Sequence, residues 1–592
     1  MNTQEPADTL PIYSPTPTNA HPPSIMSSKQ RMTVLDLTVS TTTDKPSGTT
    51  NPRNPPSSSP SRWRTPEFCL YFVVLVVVLP IMAWIPISLS LESHPNYPFY
   101  QSKLSSGWLF GRKMDNSDAQ YRSFRGNLSY LIGAASLYLL LKFLRRRLIP
   151  SSSKGEGLLY TIPLNALISL VVVFVLHGAS ALKLLAILSL NYTIAKQCKG
   201  SKLGPLLTWL FNGAVLFANE LNHGYRFGAI SPSLGYLDDI EGLYPRWHVI
   251  FNITMLRLIS FNMDYYWSHS HQDRTLANKV QTAPSDKQRQ EIPHPDGVYS
   301  YVNYIAYVLY PPLYIAGPIL TFNDFMWQLR RPINLGASDV RNYFVRFLVS
   351  FFTMEFILHF MYVVAIKDRK AWIGDTPLQI SMIGFWNLMV VWLKVSVSSD
   401  PTGWKATDRL WALADGIVAP ENMVRCMANN YSTLGFWRSW HRSYNLWIIR
   451  YIYIPLGGST NVILNTVLVF TFVALWHDLT FRLLAWGWLV SLFIVPELLA
   501  TYLLPKSKFG KNAWYRHVCA IGAVANVLLM MAANLVGFVI GTDGIKFFVS
   551  QLLGTREGHQ FLVVACACIF VGVQLMFEYR EEEMRHGIYR RS

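Results

Sequence analysis

Charge is scarce in this chain. Lys, Arg, Asp and Glu make up 15% of its 592 residues, where a soluble globular protein carries about a quarter. The six cysteines, Cys69, Cys198, Cys426, Cys519, Cys566 and Cys568, form no C-x-x-C pair. They read as small buried hydrophobes and fix no redox compartment. There is no H-E-x-x-H, no P-loop, no G-x-S-x-G and no glycine-rich dinucleotide loop, so the chemistries those motifs carry have no support. His269 and His271 form an H-x-H pair without further ligands nearby, and no metal site is expected. No repeat of fixed period is visible, which leaves an inverted-repeat transporter unsupported.

What fills the sequence instead is apolar: 51% of residues are hydrophobic, and they come in long blocks. A helical crossing of a hydrocarbon core needs roughly 20 apolar residues. Phe68–Leu89, Asn461–Trp476 continued through Phe481–Leu504, and Phe561–Met576 meet that need. The net charge of +17 does not collect into a nucleic-acid-binding patch. Basic residues such as Lys142, Arg145, Arg146 and Arg147, or Arg580, Arg585, Arg590 and Arg591, close apolar blocks, where they are expected to anchor at lipid headgroups. An all-α, polytopic membrane protein follows.

Residues 1–66 are rich in Pro, Ser and Thr and are expected to be a disordered tail; residues 67–592 form the membrane domain. The first long apolar run begins near Phe68, too late for a secretory signal peptide. Crossings or half-crossings are expected near 68–91, 128–149, 157–178, 180–195, 204–221, 245–262, 299–321, 343–366, 376–395, 461–478, 481–504, 514–541 and 559–578. This gives roughly ten to thirteen transmembrane or re-entrant helices, the short ones being the least defined. Polar segments interrupt the series at 92–127, 263–298 and 396–447. In the first, Asp115, Asp118, Arg122 and Arg125 read as a solvated charged loop.

Three elements carry chemical information. In FWRSWHRSYNLWIIRYIYIPLGG, Phe436 to Gly458, a continuous helix would gather Trp437, Trp440, Tyr444, Trp447 and Tyr451 on one face. Arg438, Arg442 and Asn445 would lie beside them, with His441 at the border. The aromatics taken alone read as an interfacial anchor, and the arginines as a match for phosphate oxygens. Pro455 ends the helix and Gly457–Gly458 permit a turn. The second element is His477, inside an apolar block, with Phe470, Val473, Ala474, Thr480 and Phe481 as helical neighbours. An ionisable side chain in hydrocarbon is either functional or hydrogen-bonded for packing. Held neutral, it has the form a general base needs. Asp478, beside it, reads as a boundary charge. In the third element, YPPLYIAGPI, the step Pro311–Pro312 breaks a helix, which alone implies only a kink.

Together the three segments, in this order, resemble the membrane-bound O-acyltransferase superfamily, with a core over about 299–541. With GWLFGRKMDNSDAQYRSFRGNL they are similar, more narrowly, to its fungal glycerol-uptake-protein branch, itself similar to the Hedgehog acyltransferases. The resemblance implies helices around an acyl tunnel, with acyl-CoA entering from one side and the acceptor from the other. It makes His477 the catalytic histidine and His441 the second polar position. It also implies re-acylation of lyso-lipids of glycosylphosphatidylinositol anchors at the endoplasmic reticulum membrane. On this reading His477 is the base, and His441, with Asn445, donates a hydrogen bond to the developing oxyanion or holds the thioester in place. Arg438 and Arg442 face CoA phosphates, and Trp440 lines the substrate site. Acyl-CoA is a co-substrate and no cofactor is expected; the partners are acyl-CoA, the lyso-lipid and the bilayer. A polyol transporter, a silent scaffold and an acyltransferase with a protein acceptor stay open as alternatives.

Overall fold

A computed structural model of the chain describes residues 60–148, 158–269, 284–315, 317–333, 336–394, 416–420, 425–586 and 588. The expected tail up to residue 59, the side chain of Arg146, His271, Arg590 and Arg591 lie outside the described residues. Apart from one hairpin, Leu104–Ser106 paired antiparallel with Lys113–Asp115, the regular structure described is helical.

Eight described helices are long and apolar enough to cross a bilayer: Pro66–Leu89, Leu128–Arg145, Leu159–His177, Val340–Phe360, Gly458–His477, Phe481–Leu503, Tyr515–Val539 and Arg556–Arg585. Four more match expected blocks in length but carry more polar residues: Ser180–Gln197, Leu203–Leu221, Trp247–Ser268 and Pro377–Lys394. The two kinds are used differently. Pro66–Leu89 buries only 11% of its apolar window and turns Leu70, Val73, Val76 and Val77 outward, as a lipid-facing helix does when lipid is as apolar as leucine. Trp247–Ser268 is buried at every position from Thr254 to Tyr265.

A helix enclosed on all sides must find partners for each of its polar groups. Asn262 bonds Asn191 and Thr208 on the two neighbouring helices. The Ser260 hydroxyl accepts from the Phe322 amide at 3.1 Å. Asp264 accepts from the Arg450 guanidinium and the Tyr451 hydroxyl, each at 2.9 Å, and from the Asn323 amide at 3.2 Å. This one helix therefore joins the N-terminal bundle to the segments that follow it.

The expected crossing at 299–321 is not a continuous helix. It divides into Tyr301–Val308 and Pro311–Tyr314, runs on without helix, and resumes at Phe322–Arg330. Pro312 has no amide hydrogen to give the Val308 carbonyl. The fully buried Arg257 supplies the missing donor, bonding Val308 O at 3.0 Å and also the Leu313 carbonyl. The Pro–Pro step thus ends a helix against a guanidinium, which is more than a kink.

Other expectations change at the surface. None of the six cysteines is fully buried; Cys69 and Cys426 are exposed, since in lipid a small apolar group gains nothing by facing inward. Lys142 is buried and bonds Asn165. Arg580 is buried and donates to the Asn429 carbonyl at 2.6 Å. Arg585 pairs with Glu578 and Glu582, and Arg516 with Glu578 and Glu581. Lys142, Arg580 and Arg585, expected at headgroups, thus bond protein oxygens instead, those of acids in the case of Arg585. The same cluster receives the start of the described chain: the Arg62 amide bonds Glu578 at 2.9 Å, and the Trp63 indole bonds Glu582 at 3.2 Å.

The charged segment before residue 127 is largely structural too. Buried Asp115 accepts from the amides of Val364 and Ala365, capping the helix Val363–Arg369. Asp118 pairs with Lys394 at 2.7 Å, and Arg125 lies 3.6 Å from buried Glu355. Arg122 alone of the four keeps an exposed place.

Replacing Arg257 by Met is expected to lower stability by about 1–3 kcal/mol, the cost of one orphaned buried acceptor. A melt of the detergent-solubilised protein reads this. An unchanged Tm would mean that the Val308 carbonyl does not depend on the guanidinium.

Candidate active site

The stretch from Phe436 to Gly458 is not one helix. The Ser432 hydroxyl caps Thr433–Ser439, accepting from the Gly435 amide at 2.8 Å. Trp440 is then extended, and His441 is left-handed at φ 45° and ψ 53°. A second helix, Arg442–Ile448, continues through a π-turn over Ile449–Tyr453. A left-handed residue with a Cβ costs about 1–2 kcal/mol. The Asn445 amide spans the break, donating to the Trp437 carbonyl at 3.4 Å. Pro455 follows the π-turn, and Gly457 and Gly458 both take positive φ, as the turn requires.

The break divides the expected aromatic face. Trp437 and Trp440 belong to the first arm; Tyr444, Trp447 and Tyr451 belong to the second. The second set is no interfacial anchor, because all three residues are buried and the polar tips of Trp447 and Tyr451 find partners inside the protein. The Trp447 indole donates to the Leu256 carbonyl at 2.9 Å, and the Tyr451 hydroxyl donates to Asp264. Of the flanking groups, Arg442 is buried and Arg438 half-buried. Trp440 lies with its ring 5.2 Å from that of His441 and 5.3 Å from that of Phe436.

His477 is the last residue of the helix Val462–His477; Asp478 is already extended, and Phe481 opens the next helix. Thr480 and Phe481 are therefore not its helical neighbours. Its ring is set between Trp476, 4.7 Å away, and Trp486, 6.4 Å away. Both tryptophans are tied down. Trp476 and Asn252 exchange bonds, indole to carbonyl at 2.8 Å and amide to carbonyl at 3.2 Å. The Trp486 indole donates to Asn534 at 3.2 Å.

His441 lies within electrostatic reach of His477, so the two imidazoles face a common region. His477 is exposed and His441 half-buried. Neither has a hydrogen-bond partner among the described residues, which leaves their ring nitrogens free for a bound molecule.

The YPPLYIAGPI segment meets this arrangement directly. The Ile319 amide donates to Ser443, two residues after His441, at 3.2 Å. A Cβ on Gly317 would fall 2.4 Å from the Leu313 Cα, so only glycine permits that return of the chain. Tyr314 is held by His177, whose Nε2 lies 2.9 Å from the phenol oxygen and whose Nδ1 lies 2.7 Å from the Tyr244 carbonyl. The three segments singled out in the sequence are thus one assembly. Residue-by-residue reasoning passed over Arg257, Asn252, Trp476 and Trp486. An arginine amid TMLRLISF was the available signal. Away from this assembly, His269 lies 3.6 Å from Asp296.

Comparison with known proteins decides the family. The profile of the membrane-bound O-acyltransferase family matches residues 239–542. The membrane-bound O-acyltransferase GUP1 of Saccharomyces cerevisiae is 44% identical over 543 residues, covering 90% of this chain and 94% of that protein. This chain belongs to the membrane-bound O-acyltransferase family. The membrane-bound O-acyltransferase gup1 of Schizosaccharomyces pombe is 41% identical, over 88% of this chain and 90% of its own length. More distantly, the protein-cysteine N-palmitoyltransferase HHAT of Mus musculus is 26% identical over 44% of this chain and 52% of its own. As a member of the family, the protein is a multi-pass membrane acyltransferase.

Backbone geometry at His441 separates two kinds of substitution. Asn tolerates the left-handed conformation, whereas Val is strained there by about 1–2 kcal/mol. His441→Asn is expected to melt like the parent and His441→Val at a lower temperature. Equal melting of the two would show that the left-handed turn is not fixed by its surroundings.

Proposed function

We propose that this acyltransferase moves a long-chain acyl group from acyl-CoA to the hydroxyl of a lyso-lipid, a lyso-glycosylphosphatidylinositol anchor, in the endoplasmic reticulum membrane. The observation that carries the reading is the pair His441 and His477: within electrostatic reach of each other, accessible, without hydrogen-bond partners among the described residues, and flanked by the rings of Trp440, Trp476 and Trp486. Apolar walls suit an acyl chain, and a neutral imidazole with a free lone pair suits a hydroxyl proton.

In the reaction, His477 takes the proton of the acceptor hydroxyl as its oxygen adds to the thioester carbonyl. The tetrahedral species expels CoA thiolate, which recovers the proton and leaves an ester and free thiol. His441 holds the thioester from the opposite arm. Asn445 serves by fixing the break that aims His441. Arg438, half-buried, is the better placed of the two arginines for CoA phosphates, Arg442 being enclosed. Trp440 packs on the His441 ring and lines the site. Acyl-CoA is the co-substrate and no cofactor enters the scheme.

An oxygen acceptor is favoured by the O-acyltransferase names of relatives aligned over about nine-tenths of this chain. The mouse relative named for protein cysteine is aligned over less than half of it.

His477→Ala is expected to lower acyl transfer about 10²–10⁴-fold, while the protein stays membrane-inserted and monodisperse in detergent. Turnover at the parent rate would remove His477 from the mechanism. Lipid profiling of anchors from a deletion strain carrying this variant tests the acceptor: unremodelled anchors are expected, and normal ones would exclude the lyso-anchor. Polyol uptake into liposomes by the purified protein, kept in His477→Ala, would favour transport instead.

A further inference from the structure

One hydroxyl beside the two histidines is left without a use. Tyr444 stands three residues after His441, in the first turn of Arg442–Ile448, and is 9% exposed. Its ring packs on Trp476 with centroids 4.7 Å apart, and Trp476 packs on His477. The phenol oxygen is buried and has no hydrogen-bond partner among the described residues. On the other side of His477, Trp486 packs on Trp437, whose indole nitrogen is likewise buried and unpartnered.

An unmade hydrogen bond in the interior opposes folding, so such groups are rare and call for a reason. Comparable tyrosines in this protein do have partners: Tyr304 donates to the Leu188 carbonyl, Tyr307 to the Leu320 carbonyl and Tyr451 to Asp264. Among the described tyrosines, Tyr444 is the one whose buried hydroxyl has no such partner, and it lies on the aromatic rings that pack around His477.

The geometry points to Tyr444 as the hydrogen-bond donor to the carbonyl oxygen of the acyl thioester, a catalytic residue in addition to the histidines. This rests on the reading of His477 as the base. Asn445, expected from sequence to act with His441 on the thioester or its oxyanion, donates to the Trp437 carbonyl, and Tyr444 adds a donor with no other partner among the described residues. As the acceptor oxygen adds and its proton passes to His477, negative charge gathers on the carbonyl oxygen. A fixed phenol O–H whose oxygen is buried stabilises that charge most when it is fully developed. The phenol keeps its proton throughout, and CoA thiolate leaves as before.

The test uses the full-length protein in detergent and two palmitoyl-CoA analogues whose sulfur is replaced by CH₂. One keeps the carbonyl as a ketone; in the other the carbonyl is also reduced to CH₂. The parent is expected to bind the ketone about tenfold more tightly, as one hydrogen bond allows. Tyr444→Phe should bind the two alike, lose acyl transfer about 10²-fold, and melt at the parent temperature or above. Tyr304→Phe, which removes a satisfied hydroxyl, should melt lower and keep the ketone preference. A ketone preference surviving in Tyr444→Phe overturns the proposal. So does a lower Tm in that variant, which would make the hydroxyl a structural donor. His477→Ala should keep the ketone preference and lose turnover. Turnover retained in His477→Ala overturns the reading of the base while leaving the Tyr444 contact measured by binding.

Discussion

Every backbone carbonyl and amide within a bilayer must find its partner inside the protein, because lipid offers none. The rest of this structure depends on how that constraint is met at two breaks, Pro311–Pro312 and Trp440–His441, where the chain leaves the helix beside the candidate site. The helix Trp247–Ser268 supplies polar side chains in place of water, at the first break and along the segment that follows the second. Arg257 takes the Val308 carbonyl at the first. Asp264 secures Arg450 and Tyr451, which follow the second. Ser443 and Ile319 then fasten the two breaks to each other.

This arrangement explains a composition that looks uneconomical. Arg257 and Asp264 sit seven residues apart on one enclosed helix, and burying either charge is costly. A purely apolar helix in their place would pack as well. It would not hold two interrupted segments in register, and the imidazole of His441 would have no defined direction. The charged groups act here as geometry-setting elements, with stability supplied by the apolar surface around them.

How much of this was legible in the sequence follows from the range of each interaction. Block length is a local property, and the expected blocks other than 299–321 appear as long helices. The block at 299–321 failed because apolar content alone does not report where backbone hydrogen bonds go. Pro311–Pro312 was visible, but its partner Arg257 is 51 residues from Val308. The break at His441 left no trace, since RSWHRSY contains neither Gly nor Pro, and the left-handed turn is imposed by surroundings that no local rule describes. His441 and His477 were legible as types in a pattern; that they come within electrostatic reach of each other was not. The basic residues near the end of the chain were misread for a similar reason. Charge at the end of an apolar block resembles a headgroup anchor until its acidic partners are seen.

The bonds from Arg62 and Trp63 to the acids of the last long helix have a consequence in time. Arg62 and Glu578 are separated by 516 residues. At a synthesis rate of about 5–20 residues per second, the first helix is made roughly half a minute to two minutes before its partner exists. During that interval Pro66–Leu89 is held in the membrane by its own hydrophobicity, with its N-terminal strap unfastened. The polypeptide is therefore threaded into the bilayer in an open order and closed late, when the last-made helix meets the first.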